Sequence, residues 1–85
     1  MSEVRWSELK SRRLKHTRGV SFDDVLGFNY LGIWNHPTRP LQQIMLFEYR
    51  GYVWVVPFTR KGEEIFLKTL YPSRKYTKRY RRGEL

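Results

Sequence analysis

An 85-residue chain that is 40% hydrophobic and 16% aromatic has room for one small domain, residues 1–85, and enough apolar surface for a core. It contains no cysteine, which excludes a disulfide scaffold, a thiolate zinc site and a cysteine nucleophile, and fits a reducing compartment. The formal net charge of +9 sits at the ends: residues 1–18 carry six Lys or Arg against two Glu, residues 71–85 carry six against one Glu, and residues 19–70 carry five of each sign.

Residues 4–18 are rich in Lys, Arg, Glu and Leu and lack Pro and Gly. This predicts a helix with Trp6, Leu9 and Leu14 as a thin apolar stripe and Gly19 as its stop. Ser21 with Asp24 three residues on reads as a capping box, and Val20 and Val25 suit the apolar staple around it. A second helix is predicted from Ser21 to about Tyr30, weakened by Gly27. Residues 31–34 read as a short edge strand before a loop punctuated by Pro37 and Pro40. The β-rich runs 44–49 and 52–58 flank Arg50-Gly51, a two-residue hairpin connection. The second run is apolar almost throughout, as in a central strand covered on both faces, and Pro57 predicts a bulge or an unpaired stretch. Residues 64–70 predict a further strand, with Ile65, Leu67 and Thr69 on one face and Phe66, Lys68 and Leu70 on the other. Pro72 is expected to break that strand. Residues 73–80 predict a short helix with Tyr76 and Tyr80 one turn apart, and residues 81–85 are expected to fray. The order α-α-β-β-β-β-α describes an α+β domain with helices on an antiparallel sheet.

The apolar runs are interrupted by Glu48, Arg50 and Lys68, so no membrane span is predicted. The first ten residues hold no apolar signal core, and the expected location is the cytoplasm. No phosphate loop, dinucleotide fingerprint or metal-ligand cluster is present, so neither a cofactor nor a metal is expected. Two basic ends repel each other if the fold brings them together. A polyanion or an acidic protein partner relieves that repulsion; a solvated basic surface is the plain alternative.

The stretch 15–24, with its core Arg18-Gly19-Val20-Ser21-Phe22-Asp23-Asp24, resembles the N-terminal motif of BrnT-like toxins of the RelE/ParE superfamily. Residues 65–75, ending in Ser73-Arg74-Lys75, resemble that family's last strand and the entry to its final helix. The resemblance implies a RelE-like fold with two N-terminal helices, a three- to four-stranded antiparallel sheet and a short C-terminal helix. It also implies a metal-independent endoribonuclease with RNA as substrate, held in check by a cognate antitoxin protein. Two features depart from the family pattern. Thr17 and Arg18 separate His16 from Gly19, and Tyr80 stands where the final helix often carries a Glu.

RNA cleavage without a metal uses the ribose 2′-hydroxyl as nucleophile. The protein must hold the phosphate in line, stabilise the added negative charge and help protons move. Lys68, mid-strand beside apolar Leu67, is the first catalytic candidate; snorkelling to an open sheet face is the other reading. Arg74 and Lys75 open the last helix, where the dipole disfavours cations unless an anion lies between them. Taken with the resemblance, they complete a catalytic set of Lys68, Arg74 and Lys75. Lys78, Arg79 and Arg81 extend an RNA-binding footprint that grips backbone. Tyr76 and Tyr80 either stack on a base or dock the helix on the sheet. His16 and His36 do not make an acid–base pair without geometry to join them. The alternative to an enzyme is a non-catalytic module of the same fold that binds nucleic acid or an acidic protein.

Overall fold

The computed structural model describes residues 3–85; Met1 and Ser2, part of the basic N-terminal segment, lie outside the described residues. The elements are β1 (Glu3–Arg5), α1 (Glu8–Arg18), α2 (Phe22–Leu26), β2 (Asn29–Asn35), β3 (Gln43–Tyr49), β4 (Tyr52–Lys61), β5 (Glu64–Leu67), β6 (Tyr71–Ser73) and α3 (Arg74–Arg81). The class is α+β, but the sheet is mixed and six-stranded, in the order β1-β5-β4-β3-β2 with β6 also on β4.

The expected first helix begins later than its composition suggests. Residues 3–5 pair in parallel with β5, Val4 opposite Ile65, so ladder hydrogen bonds override helix propensity there. Ser7 is the true N-cap and accepts from the Lys10 N–H; Gly19, with φ 78°, ends the helix as predicted. The buried residues of α1 are Ser11 and Leu14, whereas Leu9 is exposed. Ser11 Oγ accepts the Phe22 N–H at 3.0 Å, which holds the start of α2 against α1.

The capping box forms in full, with Ser21 and Asp24 each accepting the other's backbone N–H. α2 nevertheless ends at Leu26, capped by Gly27, four residues short of the expected end. Tyr30 instead packs on Phe47 at 5.5 Å between ring centres, and β2 joins the sheet as an edge strand. Within β2, Gly32 has φ 139°, and a Cβ there would meet the Trp34 ring at 3.1 Å, so no larger residue fits unchanged. The hairpin between β3 and β4 turns on Arg50 (φ 53°) and Gly51 (φ 81°), the two positive values of a type I′ turn.

β4 is the central strand. It pairs with β3 along one edge and with β5 and then β6 along the other. One face carries Met45, Phe47, Val56, Phe58, Ile65 and Leu67 against Leu14 of α1 and Phe22 and Val25 of α2. The other carries Ile44, Leu46, Val53 and Val55 against Tyr76 of α3. Pro57 pairs with Ile44 without a slip. The irregularity lies in the partner strand. Phe58 opposes Leu67 and Val55 opposes Tyr71, so residues 68–70 carry one extra residue past Pro57. That bulge turns Leu70 onto the face of Ile65 and Leu67, fully buried and opposite to the expected alternation. Pro72 does not break the edge: it sits within β6 opposite Trp54.

Lys15 of α1 donates to Asp24 of α2 at 2.8 Å. This bond and the Ser21 N–H hold the Asp24 carboxyl below its ordinary value of 3.8. A carboxyl depressed in the folded state contributes stability above its unfolded pKa and loses it as pH falls through the folded one. Chemical denaturation should therefore show stability falling as pH drops below about 4, and Asp24→Asn should flatten that fall while lowering stability at pH 7.

Candidate functional site

α3 covers only part of its face of the sheet. Its dock is built by Thr77, whose hydroxyl donates to Ser73 C=O at 2.6 Å and accepts the Val53 N–H at 2.9 Å. The buried Val53 donor, which β6 leaves free, is thereby satisfied. Tyr76 is 9% exposed and belongs to the cluster under the helix, and Tyr80 packs against the same cluster. Of their two expected roles, the geometry assigns both rings to docking. Tyr76 is not free to stack on a base, because the apolar surface of Val53 and Val55 claims it.

Beyond the helix, the same face opens into a cleft of about 530 Å³ lined by Lys10, His36, Arg39, Gln42, Pro57, Phe66, Lys68, Thr69 and Tyr71. Four of these flank the bulge at Pro57. The Lys68 N–H donates to Pro57 C=O at 2.9 Å, which fixes the chain where it leaves β5. Arg18, at the end of α1, donates to the carbonyl of Leu70 and ties down the far side of the bulge. Phe66 and Lys68 project into the cleft, with Lys68 Nζ 5.7 Å from the Phe66 ring centre.

The lining holds three cations and no carboxylate. Among the described residues, the ion pairs join Arg5 to Glu3, Lys15 to Asp24 and Arg79 to Glu84, and none involves Lys10, Arg39 or Lys68. The cleft is therefore a positive site with no internal counter-charge. Tyr71 sits at its edge. Burial pushes its phenol above the ordinary 10.0, the neighbouring Tyr76 adds to this, and Arg18 opposes it. At neutral pH the hydroxyl is a hydrogen-bond donor. His36 Nδ1 accepts the N–H groups of Thr38 and Arg39, each at 3.2 Å. This places the proton of the neutral ring on Nε2.

The expected meeting of Lys68 with Arg74 and Lys75 does not occur in this cleft. Lys68 lines it; Arg74 and Lys75 are exposed at the start of α3 and are not among its lining residues. The reason is β6, which carries the chain from the cleft at Tyr71 through Pro72 and Ser73 before the helix starts at Arg74. Lys75 Nζ and Arg79 lie over the Tyr76 ring at 5.8 and 5.7 Å, while Lys78 and Arg81 are exposed on the same helix. In place of Arg74 and Lys75, the fold brings Lys10, His36, Arg39 and Tyr71 to Lys68. Sequence alone did not reveal this group, since its members come from α1, the 36–42 loop and β6. His16 is exposed on α1 and does not line the cleft with His36.

A second hollow of about 460 Å³ lies on the opposite side of the sheet, lined by Lys15, Gly19, Val20, Asp24, Gly27, Phe28, Tyr49 and Trp54. There the one cation is already paired with Asp24, and Phe28 stacks on Tyr49 at 4.3 Å.

No family model matches the chain, and no curated protein matches its sequence. Among solved structures, the crystal structure of the Brucella abortus ribonuclease toxin BrnT aligns with a TM-score of 0.56. The alignment covers 86% of this chain and 97% of that one at 16% identity. The chain has a BrnT-like fold. At that identity the likeness speaks for the backbone and leaves the side chains of the cleft to be read from this chain itself.

Because the Thr77 hydroxyl is the partner of the buried Val53 N–H, Thr77→Val should leave that donor unpaired and cost about 1–3 kcal/mol. Urea denaturation of the variant checks this, with an unchanged slope expected if the cost is local.

Proposed function

We propose that the chain is the toxin half of a type II toxin–antitoxin pair, and that it cleaves RNA without a metal. One observation carries the reading: a cleft with three unpaired cations and no carboxylate, on the backbone of a ribonuclease toxin. The reaction needs only what such a cleft supplies. The 2′-oxygen attacks the adjacent phosphorus, the P–O5′ bond breaks, and the proton lost by the 2′-hydroxyl is balanced by one gained at the 5′-oxygen. Charge accumulates on the non-bridging oxygens in between, and cations fixed at that point lower the barrier.

In this reading Lys68 faces the phosphorane, with Lys10 and Arg39 holding the flanking phosphates. Tyr71 donates its hydroxyl to a phosphate oxygen or to the leaving 5′-oxygen. Arg74 and Lys75 act from the rim, and Lys78, Arg79 and Arg81 grip the backbone of RNA that runs on over α3. The partner implied is an antitoxin with an acidic segment that fills the cleft, and both act in the cytoplasm.

The second reading, a binder that cuts nothing, is favoured by two features. The cleft contains no carboxylate to accept a proton, and Tyr80 stands where the family often carries a Glu.

Incubation of the purified protein with labelled RNA in EDTA separates the two. The toxin reading expects cleavage that survives EDTA and falls about 100-fold or more in Lys68→Ala, together with slowed growth when the chain is expressed alone. Intact RNA with salt-sensitive binding is the result expected of the binder, and it overturns the enzyme.

A further inference from the structure

The exposed aromatic rings of the chain are not equivalent. Tyr30 packs on Phe47, and Tyr49 stacks on Phe28 with Arg50 over its other side. Phe66 is 37% exposed, makes no ring–ring contact among the described residues, and lies in the cationic cleft beside Pro57. An outward Phe on a strand exposes apolar surface to water at a cost. Its two β5 neighbours in sequence, Ile65 and Leu67, are buried on the other face. Among the described residues, the cation over the Phe66 ring is the Lys68 ammonium, on a flexible stem that can swing away.

We propose that Phe66 is the platform on which the cleft stacks one unpaired base of its RNA, so that the site selects single-stranded over paired RNA. This rests on the RNA reading given above and adds the form of the substrate. Three features of the cleft fit this occupant together. Its cations match a phosphate on either side of a nucleotide. Its apolar floor, Pro57 and Phe66, matches the face of a base. Its volume, about 530 Å³, is that of a small-molecule site and suits one splayed-out nucleotide rather than a helix. Aromatic stacking is also the means by which proteins hold unpaired bases with little sequence preference. When the base seats, Lys68 leaves the ring and meets the phosphate, so one side chain guards the platform when empty and serves the reaction when full. His36 lines the same cleft with its Nδ1 engaged by two backbone N–H groups, which leaves the Nε2–H as its donor for a base edge or a phosphate oxygen.

The test is fluorescence anisotropy with a labelled oligoribonucleotide, 2′-O-methylated throughout to prevent cleavage. It is compared with the same strand carrying abasic sites and with its duplex. The wild type should bind the single strand at least about tenfold more tightly than the abasic strand or the duplex. Phe66→Leu, which keeps apolar volume but not the ring, should lose most of that preference and leave abasic binding and the salt slope unchanged. Phe66→Trp should retain it. Wild-type binding that ignores the bases, or a folded Phe66→Leu that keeps the full preference, overturns the platform while RNA cleavage in EDTA still supports the toxin. A wild type that binds none of the three probes removes both.

Discussion

The structure turns on Pro57, at the centre of a strand whose other residues want a ladder on both sides. A proline carries no N–H, so the β5–β6 edge cannot run straight past it. The partner chain yields instead, with an extra residue between Leu67 and Tyr71. The consequences are local and specific. Lys68 is fixed by its N–H on the Pro57 carbonyl, Leu70 is driven into the core, and Tyr71 restarts the edge. The bulge thereby aims Lys68 and Tyr71 into the one part of that face which α3 leaves bare. A sheet with an ordinary residue at position 57 has no reason to open there.

The charge distribution follows a related logic. Of the two basic ends, the first reaches the cleft through Lys10 of α1, while the cations of the second lie on α3, outside the cleft's lining. Cations gathered without carboxylates raise the energy of the free protein and lower that of a complex with a polyanion. The ion pairs among the described residues, such as Lys15 with Asp24 and Arg79 with Glu84, lie outside the cleft. In the cleft three cations share one concavity with the apolar floor and Phe66.

Much of the fold was legible in the sequence because it is written in local chemistry. The Ser21 capping box, the Gly19 stop, the Arg50-Gly51 turn and the doubly covered strand β4 each follow from neighbouring residues. What was not legible depends on distant partners. Val4 and Arg5 read as helix but belong to a strand because β5 offers an open parallel edge, and Tyr30 leaves the predicted helix for Phe47. Pro57 announced an irregularity, but not that the partner strand would absorb it. The candidate site was legible only at Lys68. Arg74 and Lys75 are only six and seven residues on in sequence, but β6 intervenes and neither lines the cleft, whereas Lys10, His36 and Arg39 are remote in sequence and converge through the fold. A lone His in a Pro-rich loop gives no signal of that.

The account stands or falls on whether the cleft at Pro57 is where a ribonucleotide strand sits. Amide chemical-shift mapping of the 15N-labelled protein, titrated with a 2′-O-methylated RNA strand, tests this directly. The expected shifts cluster at His36, Arg39, Phe66, Lys68, Thr69 and Tyr71. Shifts confined to the opposite hollow, at Gly27, Phe28, Tyr49 and Trp54, with the cleft unmoved, would contradict it.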